Sequence, residues 1–357
     1  MKSALKKKYK KILEEFFKLL YGQISLNLNK KNSIEKKRSI NRIFLKKKYY
    51  TYSIRKGIVF TDSTQNVAAI SKNQLYQECS FQHANNKIVS AIFNPVLKNG
   101  TPKIRKKYIG TALSLVQGAS GENYFHWLVD ILPKIKICIQ NYPIDKIDYF
   151  YLPKLLNPQR ETLRHLGIKP NQIINSRSEK HISADKVIFT SHPWYTKGKF
   201  HDQSHKLPKW SIIWVKNTFL SFKKKFKSNK KIFLDRSNSK YSHCQIINDK
   251  ELKIFLRSLG FKFVKPDKLS FAKQVYMFWN AKFIIGAHGA AFTNIIFCRP
   301  KTRIVELRPH GHPGRNYQRI ASINKLRYRY LQSEKKYLNH DNGDIFVNIK
   351  KLKKIIN

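Results

Sequence analysis

The sequence predicts an α/β protein of two domains, and three observations carry that prediction. The first is length, because 357 residues exceed the roughly 100 to 200 that one core organises. The second is apolar content: hydrophobic residues make up 41% and aromatics 13%, enough to fill cores and to exclude a disordered chain despite the heavy charge. The third is rhythm. From residue 231 strand-like and helix-like segments alternate, at 231–234, 249–259, 261–264, 270–279, 283–285 and 303–307. Such alternation means a parallel sheet with helices on both faces, whose carboxyl edge would take a nucleotide.

Taken in order, residues 1–56 form a basic, partly helical segment with 18 Lys or Arg against Glu14, Glu15 and Glu35. Leu5, Tyr9, Ile12, Phe16 and Leu20 recur at helical spacing, which places them on one side of a helix ringed by lysines. Such a helix would lie on an anionic membrane surface or pack on its own domain. Residues 57–205 read as an α/β domain, with strands at 58–60, 87–93, 108–115, 149–152 and 187–190 and a helix at 122–140. A polar stretch with Gly198, His201, Asp202 and His205 ahead of Pro208 marks the boundary. After it a helix runs through Trp210, Trp214 and Phe219, and the second domain is expected over 206–335. The remainder, 336–357, reads as a basic, solvated tail.

Seventy-one Lys and Arg against 21 Asp and Glu give a net charge of +50, which attracts any polyanion and ranks partners poorly. A nucleic-acid or anionic-surface binding protein without catalysis is therefore the alternative to an enzyme. The chain lacks an RNP, zinc-finger or helix-turn-helix signature, so no specific nucleic acid is expected. Cys79, Cys138, Cys244 and Cys298 are widely spaced, which signals neither zinc nor a disulfide framework and fits a reducing cytosol. No stretch reaches the ~20 apolar residues of a membrane helix, and no cleaved signal peptide is expected.

Three constellations could carry chemistry. In Asn123-Tyr124-Phe125-His126-Trp127-Leu128-Val129-Asp130 the imidazole and carboxylate stand four apart, on one face of a helix. Sugar transfer by single displacement needs a group that strips the acceptor hydroxyl as it attacks the anomeric carbon, and Asp130 could be that base with His126 orienting it; the same pair could merely decorate a helix. In Gly286-Ala287-His288-Gly289-Ala290-Ala291-Phe292-Thr293-Asn294 a strand breaks at glycine and becomes a helix, whose free N–H groups would favour a diphosphate. Tight packing explains such glycines as well. The chain has no G-x-G-x-x-G and no P-loop, so no dinucleotide cofactor is expected. Third, strand 231–234 delivers Arg236 to the same sheet edge, with Lys240 beyond, where both could hold a leaving nucleoside diphosphate or form an ordinary basic loop. Glu306, at the end of strand 303–307, could accept from ribose hydroxyls or pair with Arg308. There is no Asp-x-Asp to hold a divalent ion on the diphosphate, and a metal-free reaction is expected.

The run Asn123 to Asp130 continued by Ile131-Leu132-Pro133, the stretch Gly286 to Asn294, and Ile304-Val305-Glu306-Leu307-Arg308-Pro309 resemble glycosyltransferase family 61, including its bacterial capsular-polysaccharide members. Arg236 leading to Ile247-Asn248-Asp249, and Ser270 to Gln274 ahead of the Gly286 strand, fit the same pattern over about residues 105 to 310. The resemblance implies a GT-B architecture of two facing Rossmann-like domains with parallel sheets. It also implies inverting, metal-independent transfer from a nucleotide sugar to a glycan or lipid-linked glycan. By the same resemblance Asp130 and His126 are catalytic, Asn123 and Trp127 lie on the acceptor side, and Gly286, His288, Gly289, Ala290, Thr293 and Asn294 belong to the donor site. Two departures stand out: His243 where arginine is usual and Ala291 where glycine is usual. The expected setting is the cytoplasm, on the inner membrane face.

Overall fold

The computed structural model describes residues 2–27, 34–39, 47–62, 66–84, 87–116, 123–153, 155–194, 198–199, 203–222, 230–237, 244–337 and 343–356. The chain divides into two compact units, Met1–Leu156 with Leu166–Phe200, and Asn157–His165 with His201–Asn357. Lys240 and His243 lie outside the described residues.

The first unit opens on helix α1 (Lys2–Tyr21) and strands β1 (Ser25–Leu26), β2 (Ile34–Ser39) and β3 (Tyr49–Thr61). It continues through β4 (Asn66–Ser71), β5 (Gln74–Leu75), β6 (Phe81–Ala84) and β7 (Lys87–Val89), then β8 (Lys106–Ser114), β9 (Tyr149–Leu152), β10 (Ile173–Asn175), β11 (His181–Thr190) and β12 (Gly198–Lys199). Their main path runs β10-β9-β8-β11-β3-β4-β6-β7-β12. The sheet is mixed, where the sequence led us to expect a parallel one. From β10 to β11 neighbours run parallel, while β11, β3, β4, β6, β7 and β12 pair antiparallel.

Connection length explains the difference. Parallel neighbours need a crossover of a dozen or more residues, which 115–148 supplies between β8 and β9. The links from β3 to β7 are too short for one. At the tightest, Lys72 and Asn73 both take positive φ (47° and 57°) between the paired Ser71 and Gln74, the backbone of a type I′ hairpin turn. The strand expected at 87–93 stops at Val89, because Ser90 accepts from the Ile92 N–H and starts a 3₁₀ turn, Ala91–Phe93. Ile54, Val59, Ala112, Ile182 and Val187 fill one face of the sheet, and Ile24, Ala68, Ile70 and Leu75 pack on the other.

The second unit carries β13 (Lys231–Leu234), β14 (Lys262–Val264), β15 (Phe283–Ala287), β16 (Arg303–Arg308) and β17 (Arg327–Gln332), all parallel, in the order β14-β13-β15-β16-β17. Here the predicted rhythm holds. Helix Asp249–Ser258 links β13 to β14 and Phe271–Asn280 links β14 to β15, with Ser270 accepting from the Lys273 N–H as N-cap. Ile232, Ile284 and Ile304 are buried on one face of the sheet and Phe233, Ile285 and Val305 on the other, so the strands are apolar on both. In this strand order the winding reverses between the carboxyl ends of β13 and β15, the place where open sheets of this kind generally take ligands.

The basic tail expected after residue 336 ends instead in helix Ile349–Ile356, which buries Leu352 and Ile356 in this unit's core and leaves its lysines outside. Two apolar residues four apart on one helix face outweigh the lysine composition that suggested a solvated tail. No helix among the described residues is long and apolar enough to cross a membrane.

Candidate active site

In the first unit the motif that carries His126 and Asp130 stands on a helix in three parts. Tyr124–His126 is α-helical, Trp127–Ile131 forms a π-helical turn, and Leu132–Cys138 returns to α. Asn123 starts it, its Oδ1 accepting from the N–H of Phe125 at 2.9 Å and of His126 at 3.5 Å. The Leu132 N–H reaches back five residues to the Trp127 carbonyl, a widening often found where a helix carries functional side chains. Asp130 sits inside it.

Asp130 has no solvent exposure. Its Oδ2 lies 2.6 Å from His126 Nδ1, and its Oδ1 accepts from the indole N–H of Trp194. An ionised carboxylate only accepts, so Asp130 in that form would hold the proton on Nδ1 and fix the imidazole in one tautomer. His192 Nε2 stands 3.9 Å from Oδ2. Burial, and after it the charges of Lys134 and Lys47, hold the His192 pKa well below the ordinary range. His126 keeps about 9% of its side chain exposed where Asp130 keeps none. Of the two, only the imidazole reaches outward. Trp127, expected on the acceptor side, is fully buried and packs in the core, and Asn123 acts as a helix cap.

Lys134, one turn beyond Asp130, is buried, which pushes its pKa down to about 8 against the opposing pull of the Asp130 charge. Between pH 8 and the ordinary 10.5 the unfolded chain holds more protons at this site than the folded one, so this lysine makes stability rise with pH there. Lys134→Met is expected to flatten that rise, and denaturant melts of both proteins at pH 8 and pH 10 measure it. Lys134 and His192 also line a cavity of about 520 Å³ with Tyr52, Glu78, Ser114 and Ser191.

In the second unit β13 and β15 bring together what the sequence placed apart. Gly286 is where strands pack, since a Cβ there would stand 2.7 Å from Leu234 Cβ. Its role is strand contact. Gly289 makes room for Arg236, whose Nη1 would lie 1.6 Å from an added Cβ and donates to the His288 carbonyl. Asp235 Oδ1 accepts from the Ser237 N–H at 2.9 Å, shaping the turn that carries Arg236. Tyr317 donates to the Gly289 carbonyl at 2.7 Å.

Glu306 lies at the centre of this edge with no exposure. Oε1 is 2.5 Å from His288 Nδ1, while Oε2 accepts from Arg308 Nε at 3.1 Å and from the Tyr328 hydroxyl. Burial alone would raise its pKa, but the bonds and charges of His288, Arg308 and Tyr328 outweigh burial and hold it below the usual carboxylate range. The pairing with Arg308 is what the structure shows; a ribose would find both oxygens engaged.

The turn after β15 also differs from expectation. The strand runs through Gly286 to Ala287, and Ala290–Phe297 is a 3₁₀ helix, not the start of an α-helix. Thr293 donates to the Ala290 carbonyl and Asn294 to Gln274 Oε1. Both are fully buried, so they brace the turn from inside, and Ala290 starts it.

Beside this edge lies a cavity of about 520 Å³ whose lining includes His205, Arg308, His312, Arg315, Arg319 and Tyr330 and no Asp or Glu. The His312 ring stands 3.9 Å from that of His288, centre to centre. The sequence reading did not single out His312, Arg315 or Arg319. Their available signal was local: two arginines one helical turn apart, directly after the strand that carries Glu306.

A family model for glycosyltransferase 61 matches residues 124–305, half of the chain, and the protein belongs to that family. The match spans the His126–Asp130 helix and the Arg236, His288 and Gly289 edge. No curated protein matches the chain significantly.

Proposed function

We propose that this glycosyltransferase moves a sugar with inversion, and without a metal, from a nucleotide-sugar donor to a glycan acceptor during synthesis of a capsule, lipopolysaccharide or other surface polysaccharide. The observation that carries the donor assignment is the basic, carboxylate-free cavity beside the carboxyl edge of the second unit's sheet. A diphosphate leaving group carries charge that must be stabilised as the anomeric bond breaks. Arg236, Arg315 and Arg319 supply that charge as side chains, in place of a divalent ion. His288, held by Glu306, faces the same ligand. In the GT-B architecture implied by the family resemblance, residues 206–335 hold the donor and 57–205 the acceptor.

In the first unit His126 is the base and Asp130 positions it. The acceptor oxygen attacks the anomeric carbon, its proton passes to His126 Nε2, and the bond from the anomeric carbon to the phosphate oxygen breaks, releasing the nucleoside diphosphate. Asp130 stabilises the imidazolium that forms. A lipid-linked glycan as acceptor would set the work in the cytoplasm at the inner membrane face.

Calorimetric titration with UDP, GDP and CMP at moderate salt, with EDTA present, tests the donor reading. One nucleotide is expected to bind selectively, and Arg236→Ala and Arg315→Ala each to weaken it about tenfold, as loss of a charged hydrogen bond does. Equal binding of all three that fades uniformly with salt would trace the affinity to net charge alone.

A further inference from the structure

Helix α1 has two apolar faces, and among the described residues only one is covered by the rest of the protein. Phe17 is buried, and Tyr21 packs against His181, beneath the Arg105 guanidinium. Its hydroxyl accepts from the Arg105 N–H at 3.0 Å. Together these fasten the C-terminal end of the helix to the first unit. Leu5, Tyr9, Ile12, Phe16, Leu19 and Leu20 form a separate stripe, from 55% exposed at Phe16 to 89% at Leu19. At about 100° per residue the six fall within roughly one third of the helix circumference. Lys8 and Lys11 border them on one side, Lys6 and Lys10 on the other, all exposed. The two acids of the helix, Glu14 and Glu15, pair with Lys10 and Lys18.

We infer that this stripe inserts α1 into the headgroup region of an anionic lipid bilayer, lying flat on the surface. Large apolar side chains gain by leaving water, and lysines at the rim meet lipid phosphates, the pattern of interfacial helices. Charge favours this occupant over a second copy of the chain. Two proteins of net charge +50 repel, and the lysine rims of two such helices would face each other. The inference does not depend on the transferase reading, because the stripe lies outside both candidate half-sites.

Vesicle flotation of the full chain at roughly 0.15 M salt, where attraction beyond about 8 Å is screened, tests it. The comparison is wild type against a Leu5→Ser, Ile12→Ser, Phe16→Ser, Leu19→Ser variant, which keeps every charge. Wild type is expected to float with phosphatidylcholine vesicles containing phosphatidylglycerol, and the variant to partition more than about tenfold less. Nucleotide affinity and thermal melting should be alike in the two proteins, since the substituted side chains are exposed. Equal partitioning of the two would overturn the inference and leave charge alone as the cause. So would equal wild-type binding to vesicles of phosphatidylcholine alone. A concentration-dependent dimer of wild type, absent in the variant, would assign the stripe to a second copy instead.

Discussion

His126→Ala is expected to slow nucleotide-sugar turnover by about a hundred- to ten-thousandfold, the range that a positioned general base contributes, while nucleotide affinity stays within about twofold. We assign nucleotide binding to the second unit's arginines and not to this helix. Asp130→Asn separates the two roles. Its amide fits the same space but no longer requires the proton on His126 Nδ1, so the base nitrogen can take the wrong tautomer. Turnover should fall nearly as far, with the fold intact. The double variant is then expected to lose little beyond His126→Ala, because residues that act as a unit do not add. If Asp130→Asn left turnover unchanged while His126→Ala abolished it, Asp130 would be a packing residue only.

Glu306→Ala is expected to destabilise the second unit by about 3 to 5 kcal/mol, the effect of removing one partner from a buried ion pair. Arg308 is buried and His288 nearly so, and both would lose the carboxylate that balances them. Acid sensitivity gives a finer test. The folded-state pKa of Glu306 lies below its unfolded value, so its contribution is full above the unfolded value and is lost as pH falls through the folded one. Glu306→Gln keeps the shape and removes that titration. Melting curves between pH 6 and pH 3 should therefore fall less steeply for Glu306→Gln than for wild type, from a lower starting point. Parallel curves would mean that Glu306 is not held as an ionised partner.

How far these sites could be read in advance depended on the reach of each contact along the chain. The His126 and Asp130 pair is local, four residues apart on one helix, and its spacing was legible. Trp194 and His192, which complete the carboxylate's surroundings, lie more than sixty residues away, and nothing in their local sequence ties them to it. The same holds for Gly289, whose lack of a side chain is explained by Arg236 in the turn after β13. Glu306 was found as a strand-end acid, yet its placement depends on Tyr328, one strand further on.

The fold divides in the same way. The parallel sheet of the second unit was legible because each strand is a short apolar run separated by a periodic helix. The mixed sheet of the first was not, because β3, β4, β6 and β7 alternate without helices, and their pairing direction follows from turns such as Lys72-Asn73. The 3₁₀ course of Ala290–Phe297 was equally hidden. An apolar run of that length has no periodicity that separates it from an α-helix.

The most direct test of the catalytic account is proton NMR of the anomeric signal while the enzyme turns over the nucleotide sugar it binds, with EDTA present. The account predicts a first-formed product of inverted anomeric configuration, from wild type and not from His126→Ala. A first-formed product of retained configuration, or equal turnover by His126→Ala, would contradict single displacement with His126 as base.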